Sequence, residues 1–100
     1  MKNILTKLNK TFENRYRLSI MSALMVNDWV DYTRLKELLA IESDGNLASH
    51  IKHLEKREYL EVRKQFIGKK PNTSYSVTVK GRKAFQEHLD ALEELINNSK

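Results

Sequence analysis

The chain has 100 residues, 40% of them hydrophobic and 31% charged, with a net charge of +5, three Gly, one Pro and no Cys. One domain with one modest core fits this length. The lack of cysteine excludes disulfide staples, thiolate metal sites and a cysteine nucleophile, and it accords with a reducing compartment.

The opening residues lack the apolar core of a signal peptide, because Lys7, Asn9 and Lys10 interrupt them. No apolar run is long enough to span a bilayer, so no membrane partner is expected and the expected location is the cytoplasm. Asn3 to Phe12 carries Ile4, Leu5, Leu8 and Phe12 at helical spacing, which predicts a short amphipathic helix. Such a helix is marginal alone and needs a surface to cover. Arg15 to Val26 predicts the first strong helix. Leu18, Met21 and Met25 share one face and Ile20 and Leu24 an adjacent one, an arc wide enough for two packing partners. Asn27-Asp28 ends it, and Val30-Asp31-Tyr32 reads as one small strand. Trp29 is expected as a half-buried lid over the end of that helix.

Thr33 is a suitable cap for a second helix, Arg34 to Leu39, with Leu35, Leu38 and Leu39 inward. The segment from Ala40 to Gly45 reads as a tight connector, with Ser43 or Asp44 capping a third helix from Asn46 to Arg57. Leu47, Ile51 and Leu54 form the inner side of that helix. Tyr59 to Phe66 and Thr73 to Val79 are strand-like, the second placing Tyr75, Val77 and Val79 on one face. Ile67 to Asn72, with Gly, Pro and Asn, reads as the turn of a β-hairpin. Lys80-Gly81 opens a last helix, Arg82 to about Asn97, with Phe85, Leu89, Leu92 and Ile96 at spacings of four, three and four.

Charge is unevenly distributed. The segment from Asn46 to Lys83 has 10 basic and 3 acidic residues, whereas that from Ala84 to Lys100 has 1 basic and 4 acidic. Positive charge gathered in one segment suits a polyanionic partner, although a solvated basic face would have the same composition. The fold class expected is mainly α with a small β-hairpin wing. Two helices joined by a tight connector and followed by a basic hairpin are the parts of a winged helix-turn-helix, whose second helix enters the major groove of DNA. The outward side of the third helix offers Asn46, Ser49, Lys52, His53 and Lys56, with His50 on its flank. Asn46 suits bidentate reading of adenine, and Ser49 suits a base or a phosphate. The lysines and His53 suit phosphates. The hairpin adds Arg63, Lys64, Lys69 and Lys70.

Arg17 to Leu24, Asp44-Gly45-Asn46-Leu47-Ala48-Ser49-His50-Ile51-Lys52-His53-Leu54-Glu55, Tyr59 to Val62, and Thr78-Val79-Lys80-Gly81-Arg82-Lys83-Ala84-Phe85 together resemble the short winged-helix transcriptional regulators related to the MarR and ArsR groups. The recognition-helix run, DGNLxxHxxxLE, is the most distinctive part. The resemblance covers about Asn14 to Ile96; Trp29 and Lys80 look idiosyncratic within it. It implies a winged-helix fold, double-stranded DNA as partner, and dimerisation, but neither an operator nor an effector.

Residues 1–100 are therefore expected to form a single winged-helix domain in which 1–12 and 86–100 make a homodimer. Ile4, Leu5, Leu8, Phe12, Leu89, Leu92, Leu95 and Ile96 are the expected interface, since a core closed by Phe85 leaves them little to cover. An intramolecular clasp between the first and last helices is the other way to bury them. His50 and His53, three apart, have a metal-compatible spacing without an evident third ligand, so no metal or cofactor is expected. No nucleophile–base pair, phosphate loop or carboxylate pair stands out, and the reading is non-enzymatic. A protein-interaction module on the same scaffold is the alternative function.

Overall fold

The computed structural model describes residues 2–41 and 44–98. Helix α1 (Lys2–Lys7) is followed by a 3₁₀ turn (Lys10–Glu13), α2 (Arg15–Met25), β1 (Val30–Asp31), α3 (Tyr32–Leu39), α4 (Asp44–Lys56), β2 (Leu60–Ile67), β3 (Lys70–Val77) and α5 (Val79–Asn98). The strands form an antiparallel sheet in the order β1-β3-β2. Mainly helical elements with a small wing match the class expected from the sequence.

The expected first helix is two pieces. Asn9 breaks it: its extended backbone caps the 3₁₀ turn, and its side chain accepts from the Thr11 N–H. Asn14 then caps α2, accepting from the N–H groups of Tyr16 and Arg17 at 3.0 and 3.2 Å. Ile20, Met21 and Leu24 are fully buried, and α2 touches α4, α3, β3 and the 3₁₀ turn. The wide apolar arc is used as its width implies.

Asp31, not Thr33, caps α3, accepting from the Arg34 N–H at 2.8 Å. Both residue types can cap; β1 ends at Asp31 and leaves its carboxylate over the first turn. Leu35 is fully buried, but Leu38 is exposed rather than inward. Helix α3 closes with Ala40 in the left-handed region (φ 51°), where its N–H and that of Ile41 reach back to Glu37 and Lys36. This is a Schellman closure, and it turns the chain sharply toward α4. Ser43, one of the two expected caps, lies outside the described residues; Asp44 is already the first residue of α4, two residues earlier than expected. Glu58 (φ 63°) repeats the Schellman closure after α4, with Tyr59 N–H bonded to the Leu54 carbonyl.

The hairpin is longer than the breakers suggest. Ile67 pairs with Lys70, so the turn is only Gly68-Lys69, and Gly68 supplies the positive φ of 66°. Pro71 stands in β3 opposite Phe66. Pairs alternate in hydrogen bonding from the turn inward, which makes Phe66–Pro71 a non-bonded pair. The missing N–H of Pro71 therefore faces an open edge and costs no ladder bond. β3 ends at Val77, and Val79 opens α5 in full solvent instead of joining the buried face of Tyr75 and Val77.

The start of α5 is fixed by two residues. Thr78 Oγ1 accepts from the Gly81 N–H at 2.9 Å and donates to the Glu58 carbonyl at 2.7 Å. Gly81 is buried against Tyr59, whose backbone a side chain would strike. The core continues along α5 through Phe85, His88 and Ala91. Phe12 meets Phe85 edge-on at 5.1 Å and Tyr59 at 5.4 Å between ring centroids.

Two of the expected interface residues are thereby corrected. Phe12 (1% exposed) and Ile4 (2%) are consumed inside the protomer. The 3₁₀ turn folds Phe12 into the core, and α1 lies along α5, the clasp arrangement. Leu5 (57%), Leu89 (36%) and Ile96 (66%) stay exposed, and Leu8, Leu92 and Leu95 are half-buried.

Candidate nucleic-acid interface

Helix α4 is anchored by Leu47, Ile51 and Leu54, all buried. With 100° per residue, those three leave Ser49, Lys52 and Lys56 on the outward side, and Asn46 and His50 together on the flank toward α2. Asn46, Ser49, Lys52 and Lys56 are exposed, whereas His50 and His53 are half-buried. No carboxylate occurs between Gly45 and Leu54. The helix thus presents small polar and basic groups to solvent, with its positive dipole end beside Asn46.

The two histidines have different settings. His50 lies flat on Tyr16, with ring centroids 5.1 Å apart and planes 12° apart, and its Nδ1 meets an Arg17 terminal nitrogen at 3.1 Å. The Arg17 Nε–H donates to the Thr11 carbonyl at 2.7 Å. Arg17 therefore bridges the 3₁₀ turn, α2 and α4 rather than standing free for a phosphate. Burial first, and then the Arg17 charge, hold the His50 pKa below the usual imidazole value. His53 Nε2 accepts from the Arg57 Nε–H at 3.0 Å, and burial, then Arg17 and Arg57, lower its pKa as well. Both rings favour the neutral form, so the positive field on this side comes from lysine and arginine. Their nitrogens turn to separate arginines, and among the described residues no cluster of three potential metal ligands occurs.

The wing carries Lys64, Lys69 and Lys70 in solvent. Arg63 is also exposed, yet held: its guanidinium carbon sits 4.3 Å from the centroid of Trp29. Register explains the meeting. Arg63 pairs with Ser74, which pairs with Asp31, so Arg63 and Trp29 lie diagonally on the outer sheet face. Trp29 is thus a stacking platform for Arg63 rather than a lid on α2. Sequence spacing could not foresee this, because the contact joins residues 34 positions apart. Arg15, Tyr16, Leu39, Ala40, Ile41 and Asn46 line a groove of about 470 Å³ between α2 and the start of α4.

A helix held by buried leucines beside a basic ribbon defines the geometry of the site. The profile of the winged helix DNA-binding domain matches residues 16–96. The chain belongs to that family. This winged helix domain is 33% identical over 89 residues to an uncharacterized protein of Methanocaldococcus jannaschii, covering 89% of this chain and 96% of that protein. A transcriptional regulator homologue from Pyrococcus horikoshii OT3 superposes with a TM-score of 0.85 at 26% identity, covering 99% of this chain and 95% of that one. Apo MarR from E. coli shares the fold with a TM-score of 0.67 at 17% identity, over 97% of this chain and 77% of that one. The protein is a winged helix-turn-helix domain, with α3 and α4 as the helix pair and β2-β3 as the wing. Among its described residues no helix is long and apolar enough to cross a membrane.

Proposed function

We propose that this winged helix domain binds double-stranded DNA as a homodimeric transcriptional regulator, with α4 in the major groove and the wing along the flanking backbone or minor groove. The observation that carries the reading is α4 itself: three buried leucine and isoleucine side chains fix its roll, and that roll turns Ser49, Lys52 and Lys56 outward. Ser49 and Asn46 stand near the helix N-terminus, where base edges are read. Lys52, Lys56 and the wing residues Arg63, Lys64, Lys69 and Lys70 are suited to phosphates, neutral His53 holds Arg57 beside them, and His50 supports the helix through Tyr16 and Arg17. In a two-fold dimer, α4 and its copy meet successive major grooves about 34 Å apart on a pseudo-palindromic site. The role is non-catalytic, and the site of action is the cytoplasm.

Selection of bound duplexes from a random pool, followed by gel shifts at 50 and 200 mM salt, tests this. If each protomer neutralises about four phosphates, the log–log salt slope is about −7 and affinity falls roughly 10⁴-fold between those concentrations. Lys69→Ala/Lys70→Ala weakens binding to all sequences alike and flattens the slope. Ser49→Ala changes the preferred sequence, by about 1–3 kcal/mol for each base interaction it removes. Absent or salt-insensitive binding overturns the reading in favour of a protein-interaction scaffold.

A further inference from the structure

The wing tip carries a feature that phosphate contact does not require. Phe66 is 73% exposed and Ile67 is 61% exposed, immediately before the Gly68-Lys69 turn. Consecutive strand residues point to opposite faces. Phe66 therefore faces one side of the ribbon beside Pro71, and Ile67 the other beside Lys70. β1 pairs with Ser74 and Tyr75, so the ribbon runs on past it, and Phe66, Ile67, Lys69, Lys70 and Pro71 at its end are all exposed. Four residue pairs, Lys64–Thr73 to Ile67–Lys70, project there for about 13 Å at roughly 3.3 Å per residue. A flat protein surface could cover Phe66 or Ile67, but not both. A cleft that takes the ribbon end-on covers both, and Lys64, Lys69 and Lys70 require its walls to be anionic. Charge and proline at an open edge also guard against strand pairing between molecules. That accounts for the lysines and Pro71 but not for the large apolar side chains they surround.

We infer that the wing tip is an apolar wedge for the minor groove of duplex DNA, with Phe66 and Ile67 pressing between base steps while Lys69 and Lys70 hold the two flanking backbones. The inference rests on the DNA-binding reading above and adds deformation of the duplex to it. A minor groove about 6 Å wide does not admit a two-stranded ribbon with side chains on both faces unless it opens. Apolar side chains open it by unstacking a step and kinking the duplex. The wedge falls about half a helical turn, roughly 5 base pairs, outward from the α4 contacts, because the minor groove faces the protein there. Pyrimidine–purine steps, which unstack most easily, are therefore preferred at positions that α4 never touches.

The test uses the full chain and the tightest duplex recovered from the random pool, with 2-aminopurine replacing each adenine in turn; its fluorescence rises when its base unstacks. The wild type is expected to raise the signal at least about twofold at one flanking step per half-site. Phe66→Thr/Ile67→Thr, which keeps the strand-forming character, abolishes the rise and weakens binding about tenfold with the salt slope unchanged. Phe66→Leu/Ile67→Val restores the rise, which separates the wedge from any loss of folding. Tight, salt-sensitive binding with no rise at any position, or a rise that survives in the threonine variant, overturns the wedge and leaves the DNA-binding reading intact. Failure to recover any bound duplex overturns both. Co-sedimentation with vesicles of equal phosphatidylglycerol and phosphatidylcholine, lost in the threonine variant and accompanied by a flat duplex signal, assigns the tip to anionic lipid instead and overturns the inference.

Discussion

At the scale of single residues, Gly81 shows how one missing side chain sets the fold. Thr78 bonds to both Glu58 and Gly81, which draws the first turn of α5 onto the residue pair Glu58-Tyr59. A Cβ on Gly81 would stand 2.8 Å from the Tyr59 Cα and nearer still to its carbonyl oxygen. Those are backbone atoms that carry their own hydrogen bond to Thr78 N–H, so they cannot swing aside as a side-chain tip could. Alanine is intrinsically better than glycine within a helix by about 1 kcal/mol. Overpacking against fixed backbone costs about 3 kcal/mol, the upper part of its usual range. The clash wins, and Gly81→Ala is expected to lower stability by about 2 kcal/mol net, read from the urea midpoint with an unchanged slope. A stabilised variant would show that α5 shifts freely on the start of the wing. Ala40 and Glu58 illustrate the opposite economy: both occupy left-handed positions that glycine fills more easily, and both helices close there anyway.

Among elements, what the sequence reveals depends on whether a pattern names its partner. The inward side of α4 was legible because Leu47, Ile51 and Leu54 can only face a core if the helix is to be held at all. The stripe Ile4, Leu5, Leu8 and Phe12 was legible as apolar but not as to destination. Periodicity predicts a buried face without saying whose surface buries it, and Asn9 splits the stripe so that Phe12 enters the core while Leu5 stays outside. The wing turn was placed too broadly because Pro71 and Asn72 are breakers, and only the pairing register shows that Pro71 occupies a harmless non-bonded position. The Trp29–Arg63 stack and the Arg17 bridge were hidden altogether, since each joins segments distant in sequence. The same holds for the tie between the 3₁₀ turn and α5. The Asn9 backbone N–H donates to the buried His88 Nδ1 at 2.9 Å, which keeps the ring proton on Nε2. Protonating Nδ1 would set two N–H groups against each other. Burial lowers the His88 pKa below that of a free imidazole, against a smaller opposing pull from Glu13. A depressed histidine leaves the unfolded chain binding more protons in the window below about pH 6.5, so stability rises with pH there and levels off above it. His50 and His53 are depressed too and contribute to the same slope. His88→Gln, which can still accept from Asn9 but does not titrate, is therefore expected to flatten part of the loss seen between pH 7.5 and 5.5. One proton accounts for at most about 1.4 kcal/mol per pH unit. Urea midpoints at the two pH values check this, and parallel losses in both proteins would remove His88 as the cause.

At the scale of the whole molecule, the shape is elongated. The radius of gyration is 15.0 Å, against about 13 Å for a compact chain of this length, and the principal extents are 55 × 27 × 21 Å. The excess length is an arm: α5 spans 20 residues, about 30 Å, and α1 packs along it. The arm keeps Leu5, Leu89 and Ile96 in water and Leu92 and Leu95 half-covered, while Lys7 pairs with Glu94 at its rim. In the proposed homodimer a second copy covers these side chains with an identical, self-complementary face across a two-fold axis. In the proposed complex the acidic character of Ala84 to Lys100 keeps this end from the polyanion that the basic half is suited to meet. On the proposed reading the arm and α4 divide the work, one setting the separation between two copies and the other reading each half-site. The protein is accordingly expected to sediment at twice its 11.8 kDa chain mass. Leu89→Glu/Ile96→Glu places four carboxylates at the centre of that face and should give a folded monomer, with helical content retained in far-UV circular dichroism. Loss of the second half-site then costs about 100-fold or more in affinity for a palindromic duplex, because engagement of the second half-site is no longer intramolecular. It leaves binding to a single half-site unchanged. A wild-type protein that sediments at one chain mass, or a charged variant that still pairs, would place the dimer contact elsewhere on the molecule.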